Sequence, residues 1–267
     1  MLIEYETFLR LSFFLGIFML ICAWELASPK RHLSLSRATR WPRNLAMVAI
    51  ITLIMRLLIP FTAVMAALYA QQHQIGFFHL FSSPKSLAII SSIILLDGVI
   101  YAQHRAFHYL PLLWRLHKIH HIDQEIDVTT ALRFHPFEFI ISLCIKNAAV
   151  LLIGAPVAAV IGFEILLNGM AMFNHGNITL PKKFDRILRV FVVTPDMHRV
   201  HHSVQKRETN SNFGFSLSLW DKLFYTYLAH PEAGHLQMEI GLKEYPNSDN
   251  TGLWALMLMP FRNKKEL

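Results

Sequence analysis

The chain has 267 residues and a formal net charge of +7. Hydrophobic residues make up 54% of it and charged residues only 16%, with a mean hydropathy of +0.37, a balance that excludes an ordinary soluble domain and points to membrane spans. The basic excess flanks apolar runs, where it sets topology, so it argues for a membrane and against a nucleic-acid partner. Two cysteines, Cys22 and Cys144, both inside apolar segments, exclude a disulfide framework, a cysteine zinc site and an Fe–S motif.

In chain order, MLIEYETFLR is acidic before its apolar run and lacks a small-residue cleavage site, which predicts an anchor helix rather than a signal peptide. Phe8 to Leu26 is long enough to cross a bilayer, which takes about 20 residues. The loop that follows carries Lys30, Arg31, Arg37, Arg40 and Arg43, with Pro29 and Pro42 as breakers, and the positive-inside rule makes it cytoplasmic. Leu45 to Ala70 returns across the membrane, interrupted by Arg56 and Pro60. Residues 71–85 form the outer loop, which puts His73 and His79 on the wrong side to join the clusters below. Ser86 to Ala102 crosses back, with Asp97 inside it either as a functional acid or as an internal cap or partner.

HRAFHYLPLLWRLHKIHH follows, holding His104 and His108, a break near Pro111, and then His117, His120 and His121. RFHPFEF supplies His135 and Glu138 ahead of Phe139 to Phe173, which is too long for one span and breaks at Gly154-Ala155-Pro156 into a hairpin of two short helices. Lys146 and Glu164 lie within the hairpin as a candidate pair, and His175 sits at its end in NHGNITLP. Asp185 to Val193 reads as an interfacial helix, and TPDMHRVHHS gives His198, His201 and His202, with Thr194 or Asp196 near the helix start. NSNFGFSLSLWDKLFYTY reads as a cap over the site, His230 and His235 as surface residues, and LWALMLMPF as a segment on the membrane surface.

The expected fold is therefore all-α: a polytopic integral membrane protein of about four spans, counting the hairpin, with a cytoplasmic histidine-rich di-metal cap. Residues 1–85 are the N-terminal helices and loops, 86–230 a membrane-embedded catalytic domain, and 231–267 a cytoplasmic or interfacial tail.

A lone histidine is commonly a surface or core residue. Here HxxHH occurs twice and HxxxH once, and on a helix positions three and four apart share a face, so each cluster aims its imidazoles at one point. Neutral imidazole is the commonest metal ligand, and eight clustered histidines exceed what one ion needs, which points to two ions. A nearly all-histidine set suits Fe, Zn or Cu rather than Mg or Ca. None of the clusters contains the acid that a hydrolytic HExxH site would use as base, so redox chemistry fits best. A zinc-dependent membrane hydrolase and a non-enzymatic metal-binding or transport protein are the rival readings.

HRAFH, HKIHH and TPDMHRVHH, in that order in a helical membrane chain, resemble the fatty acid hydroxylase/sterol desaturase superfamily. LRFHPFE, FNHGNITLP and WDKLFYTY resemble its bacterial members, and the similarity runs from about Asp97 to Tyr227. The resemblance implies a non-haem di-iron oxygenase that uses O2 as co-substrate to hydroxylate or desaturate a lipid drawn from the bilayer. It implies metal ligands at His104, His108, His117, His120, His121, His198, His201 and His202, with no catalytic residue beyond the metal centre. His175 matches a further metal-associated histidine, while Ala171 and Thr179 stand where some members complete an HxxxH pair. His135 is the candidate to complete the set, or else orients Glu138 or a ligand; Asn212 and Asp221 are candidates to fix imidazole tautomers. No flavin-binding GxGxxG or haem domain is evident, so electrons come from an external reductase, ferredoxin or cytochrome-type donor. The expected location is a bacterial inner membrane, with the site on its cytoplasmic face.

Overall fold

The computed structural model describes residues 4–81, 83–245 and 252–262; the start of MLIEYETFLR and parts of the 231–267 tail lie outside the described residues. The described chain is helical, and its only β pairings are three isolated bridges. The long helices are α1 (Glu6–Ala27), α2 (Arg37–Leu58), α3 (Ala63–His73), α5 (Lys85–Tyr109), α7 (Pro136–Ile153) and α8 (Val157–His175); α4 (Phe77–Leu80) is a single turn. Between α5 and α7 lie α6 (Pro111–His121) and a 3-10 turn, Val128–Leu132. After α8 come short pieces: α9 (Lys182–Leu188), α10 (Pro195–His201), α11 (Lys206–Thr209), α12 (Leu219–Leu223), α13 (Gly234–Gln237) and α14 (Leu253–Leu258).

Five helical stretches are long and apolar enough to cross a membrane: Glu6–Ala27, Arg37–Leu80, Lys85–Tyr109, Pro136–Ile153 and Val157–His175. The sequence reading counted the last two as one hairpin of short helices. In the structure the arms have 18 and 19 residues, each within the range that spans a bilayer. They part where the sequence breaks. Gly154 caps α7 at φ +67°, its N–H bonded to the carbonyls of Val150 and Leu151, and Pro156 precedes α8. Gly76 packs on that turn at φ +101°, so close that a Cβ would lie 2.2 Å from the Gly154 nitrogen; glycine is needed there for both conformation and space.

Helix α8 is the hub, packing against α1, α3, α5, α10 and the 128–132 turn. Small residues let α3 approach closely: Ala63, Ala66 and Ala67 meet Leu96 and Ile100 of α5, Val150 of α7 and Phe163 of α8. By contrast α1 buries only Ile21 and Glu25 and leaves Phe8, Phe13 and Leu20 exposed, the pattern of a lipid-facing helix. Several acids and bases within the apolar stretches are internally partnered. Lys146 and Glu164 form the suspected pair, and Arg10 reaches the same carboxylate at 3.1 Å. Asp97 proves to be an anchor, accepting from the Ser216 and Leu217 amides and from Trp220 Nε1 (3.2, 3.0 and 2.9 Å), which ties the cap to α5.

The basic loop after α1 lies against the cap. Lys30 pairs with Asp196 at 2.7 Å, and Arg31 donates to the carbonyls of His235 and Met238. Arg40, counted above as a topological charge, is wholly buried: it clamps Asp123 and Asp127 (2.8 and 2.5 Å) and so fastens α2 to the loop after α6. LWALMLMPF also differs from its reading as a membrane-surface segment, because Leu256 and Met259 are buried against Met47, Ile119 and Ile122. These apolar residues gain more by closing the back of α6 than by lying at an interface. Removing one partner of a buried ion network costs about 3–5 kcal/mol, so Arg40→Ala should lower the melting temperature in detergent by on the order of 10 °C. A thermal unfolding curve superimposable on wild type would show the clamp to be dispensable.

Candidate metal centre

The backbone folds the histidine motifs onto one another. Pro111 forces Leu110 into an extended conformation, ending α5 and starting α6, and the resulting bend lays α6 back along α5. Helix α10 starts where Thr194 caps the Met197 amide at 3.3 Å, and it packs against α8, which ends at His175.

Nine histidines gather in two groups: His104, His108, His117, His121 and His201 in one, and His120, His175, His198 and His202 in the other, with ligand atoms in each group all within 4.8 Å of one another. The motifs do not map one to a group. On α6 the pair four apart, His117 and His121, enters the first group, while His120, turned by roughly 100° per residue, enters the second. On α10 the split is reversed: His198 and His202 go to the second group and His201 to the first. The groups adjoin, with the rings of His121 and His202 stacked at 4.5 Å.

Hydrogen bonds fix which nitrogen faces inward in five of the nine rings. The Nδ1 atoms of His104, His175 and His201 donate to the carbonyls of Phe213, Ala171 and Ser211 at 2.8, 2.7 and 2.8 Å. His120 Nδ1 donates to the Arg133 carbonyl at 3.2 Å and His117 Nδ1 to Glu138 Oε1 at 2.6 Å. These oxygens only accept, so each Nδ1 carries the proton and each Nε2 keeps a bare lone pair. Those lone pairs face each other: Nε2 to Nε2 is 3.2 Å between His104 and His117, and 3.0 Å between His120 and His175. His198 and His202 approach His175 Nε2 at 3.0 and 3.2 Å, and both nitrogens of His108 and His121 are buried without a partner. Bare lone pairs this close repel unless a cation lies between them. Two nitrogens each about 2.1 Å from one ion at near-right angles are about 3 Å apart, so the residues fit metal ions.

The electrostatics agree. Burial, reinforced by neighbouring imidazoles, pushes the pKa values of His120, His121, His198 and His202 well below the ordinary value, and burial lowers His201 to about 3. The rings are therefore neutral, ligand-ready bases at neutral pH. Neither group contains a carboxylate among the described residues. Aromatic rings close the site: Phe213 and Trp114 lie 5.1 and 5.0 Å from His108, and Phe134 stacks on His120 at 4.8 Å.

The remaining candidates support the site without joining either group. His135 caps α7, Nδ1 accepting from the Phe137 amide (3.2 Å) and Nε2 donating to the Met257 carbonyl (3.1 Å), so both its nitrogens are engaged outside the two histidine groups. Glu138 orients His117 directly. Asn212 and Asp221 act on backbone instead of on imidazoles. Asn212 bonds the Met197 and Leu228 carbonyls (2.9 and 2.8 Å), and Asp221 accepts the Phe213 and Gly214 amides at 2.8 Å each. Together they hold the loop whose Ser211 and Phe213 carbonyls orient His201 and His104. Those carbonyls, with Ala171 and Arg133, escaped the sequence reading because a backbone acceptor has no residue signature.

Glu138→Ala should weaken metal affinity about 10–100-fold in a chelator competition titration; unchanged affinity would mean that Glu138 does not tune His117. The metal-free protein should lose stability as pH falls. His120, His121, His198, His201 and His202 have folded-state pKa values below their unfolded value, so the unfolded chain binds more protons from about pH 6.5 downward. Each group then costs roughly 2 kcal/mol at pH 5. Denaturation midpoints that stay flat from pH 7.5 to 5 would contradict this.

The sequence model of the family described as fatty acid hydroxylase matches residues 89–226, a span that contains all nine histidines. Among curated relatives, the chain is 25% identical over 181 residues to ornithine lipid hydroxylase OlsE of Rhizobium tropici, covering 68% of this chain and 52% of that protein. It is 29% identical over 130 residues to the alkylglycerol monooxygenase of Homo sapiens (48% of this chain, 28% of that one). Against the lathosterol oxidase of Mus musculus it is 25% identical over 159 residues, covering 59% of this chain and 48% of that protein. The chain thus spans about half or less of the length of these relatives, and no solved structure matches it. With the match running through every histidine of both groups, the chain belongs to the fatty acid hydroxylase family.

Proposed function

We propose that the protein is a membrane-bound non-haem di-iron oxygenase that hydroxylates or desaturates a C–H bond of a lipid. The observation that carries this reading is the pair of histidine groups whose Nε2 lone pairs converge with no carboxylate among them. A hydrolytic site needs a general base beside its ion, and the carboxylate nearest in the hydrogen-bond network, Glu138, is engaged by His117. A pair of irons, when bound, supplies the activation of O2 that attack on an unactivated C–H bond requires. His104, His108, His117, His121 and His201 would hold one ion and His120, His175, His198 and His202 the other. Glu138 and four backbone carbonyls keep the protons on Nδ1, so the ligand faces stay set while charge at the centre changes. Phe213 and Phe134 cover the histidines with apolar rings, and Trp114 packs on His108. The relatives named for lipid and sterol oxidation support a substrate of that class.

In this reading residues 86–230 are the catalytic unit, with 1–85 as anchoring helices and 231–267 as a tail. In the same reading electrons come from an external reductase, ferredoxin or cytochrome-type donor. The basic loop lying against the cap supports a cytoplasmic site in a bacterial inner membrane.

The test is protein purified anaerobically from iron-57 medium. About two irons per chain with a coupled Mössbauer signal, lost in His120→Ala and His201→Ala, is the expected result, because each substitution removes a ligand from one group. Two tightly bound zinc ions under iron-replete growth, with no O2 consumption beside a reductant, would replace this reading with a hydrolase.

A further inference from the structure

A second feature of the cap is a cavity of about 730 Å³ that opens beside the first histidine group, with His108 and Trp114 in its wall. Its volume lies within the range of small-molecule sites. Five cations line it, Arg115, Lys118, Lys206, Lys243 and Arg262, against one acid among the described lining residues, Glu244. Arg40, Arg189 and Arg199 are each paired with an aspartate, whereas none of these five forms an ion pair among the described residues. Lys118 is held in place by the Tyr245 hydroxyl at 3.0 Å, while Arg115 and Lys243 reach only the Arg262 carbonyl and Gln205, both at 3.4 Å. Lys206, Lys243 and Arg262 are exposed at the rim. Unpaired cations converging on a concavity leave a positive potential that an anion relieves.

One side of the mouth, where Tyr109 lines it, is apolar. Tyr109, Leu110 and Leu112, at the turn between α5 and α6, are 55%, 53% and 76% exposed. A free anion would have no use for that margin, and a docking protein would meet a hollow rather than a flat patch. An amphiphile satisfies both halves.

We propose that this cavity is the headgroup subsite for an anionic amphiphile, a lipid or acyl compound bearing a phosphate or carboxylate; the proposal rests on the oxygenase reading above. Because His108 and Trp114 form part of the same wall, the carbon presented to the first histidine group lies within a few bonds of the headgroup. Oxidation is then directed to the head end of the chain and away from its tail.

The test uses metal-loaded protein in neutral phosphatidylcholine nanodiscs at low salt, with dodecyl phosphate, dodecanol and inorganic phosphate as probes in calorimetric titrations. Dodecyl phosphate should bind about tenfold more tightly than either of the other two. The Lys206→Gln/Lys243→Gln double variant, altered only at exposed positions, should lose most of that preference while keeping wild-type metal content and dodecanol affinity. Equal affinities for dodecyl phosphate and dodecanol would overturn the proposal, and inorganic phosphate binding as tightly as dodecyl phosphate would make the site one for a free anion. A double variant that binds dodecyl phosphate normally but is reduced more slowly by an acidic donor protein would also overturn it, assigning the cations to a protein surface. The readout is binding, so a chain that loads two irons yet fails these titrations keeps the oxygenase reading and loses only this one.

Discussion

Everything in the cap answers to one constraint: nine imidazoles must be buried side by side, neutral, with their bare nitrogens facing inward. Burial alone leaves each ring free to choose its tautomer. For five of the nine the choice is made by acceptors outside the cluster, the carbonyls of Ala171, Arg133, Ser211 and Phe213 and the carboxylate of Glu138. Four of these five are backbone atoms, so the site is only as well ordered as the loops that carry them. That explains the density of buried polar anchoring around it. Arg40 with Asp123 and Asp127, Asp97 beneath the 216–220 turn, and Asp221 beneath Phe213 and Gly214 each fix a stretch of chain that in turn fixes a ring.

The membrane helices and the cap are coupled through few elements. Helix α8 runs from the hairpin turn to His175, so its apolar face sets the depth of the second group and its last residue joins it. Helix α5 does the same for the first group, ending in His104 and His108. The loop between α1 and α2 closes the opposite side through Lys30 and Asp196, one turn from the α10 ligands. Anchor and site are built from the same helices, so they cannot be separated without cutting through a ligand set.

Much of this was legible from residue spacing. The HxxHH and HxxxH patterns located eight of the nine clustered histidines, the Pro111 break and the Gly154–Pro156 turn fell where the backbone bends, and Lys146 and Glu164 met as a pair. Other features needed the fold. That HKIHH and MHRVHH would each divide between two groups depends on how α6 and α10 cross, which sequence spacing does not encode. His135 stood open between completing the ligand set and orienting Glu138 or a ligand; its place as a helix cap is decided by Pro136 and by the C-terminal segment packing behind it. Spacing left Asp97 open between a functional acid and an internal cap or partner; its partners, two amides and an indole from the cap some 120 residues away, make it the second.

The exchange of ligands between motifs has a consequence for assembly. Since α6 and α10 each feed both groups, the crossing of these two helices that assembles one group is the crossing that assembles the other. Under the proposed two-ion reading, an ion held by either group would clamp that crossing for its neighbour, and the two positions would fill together.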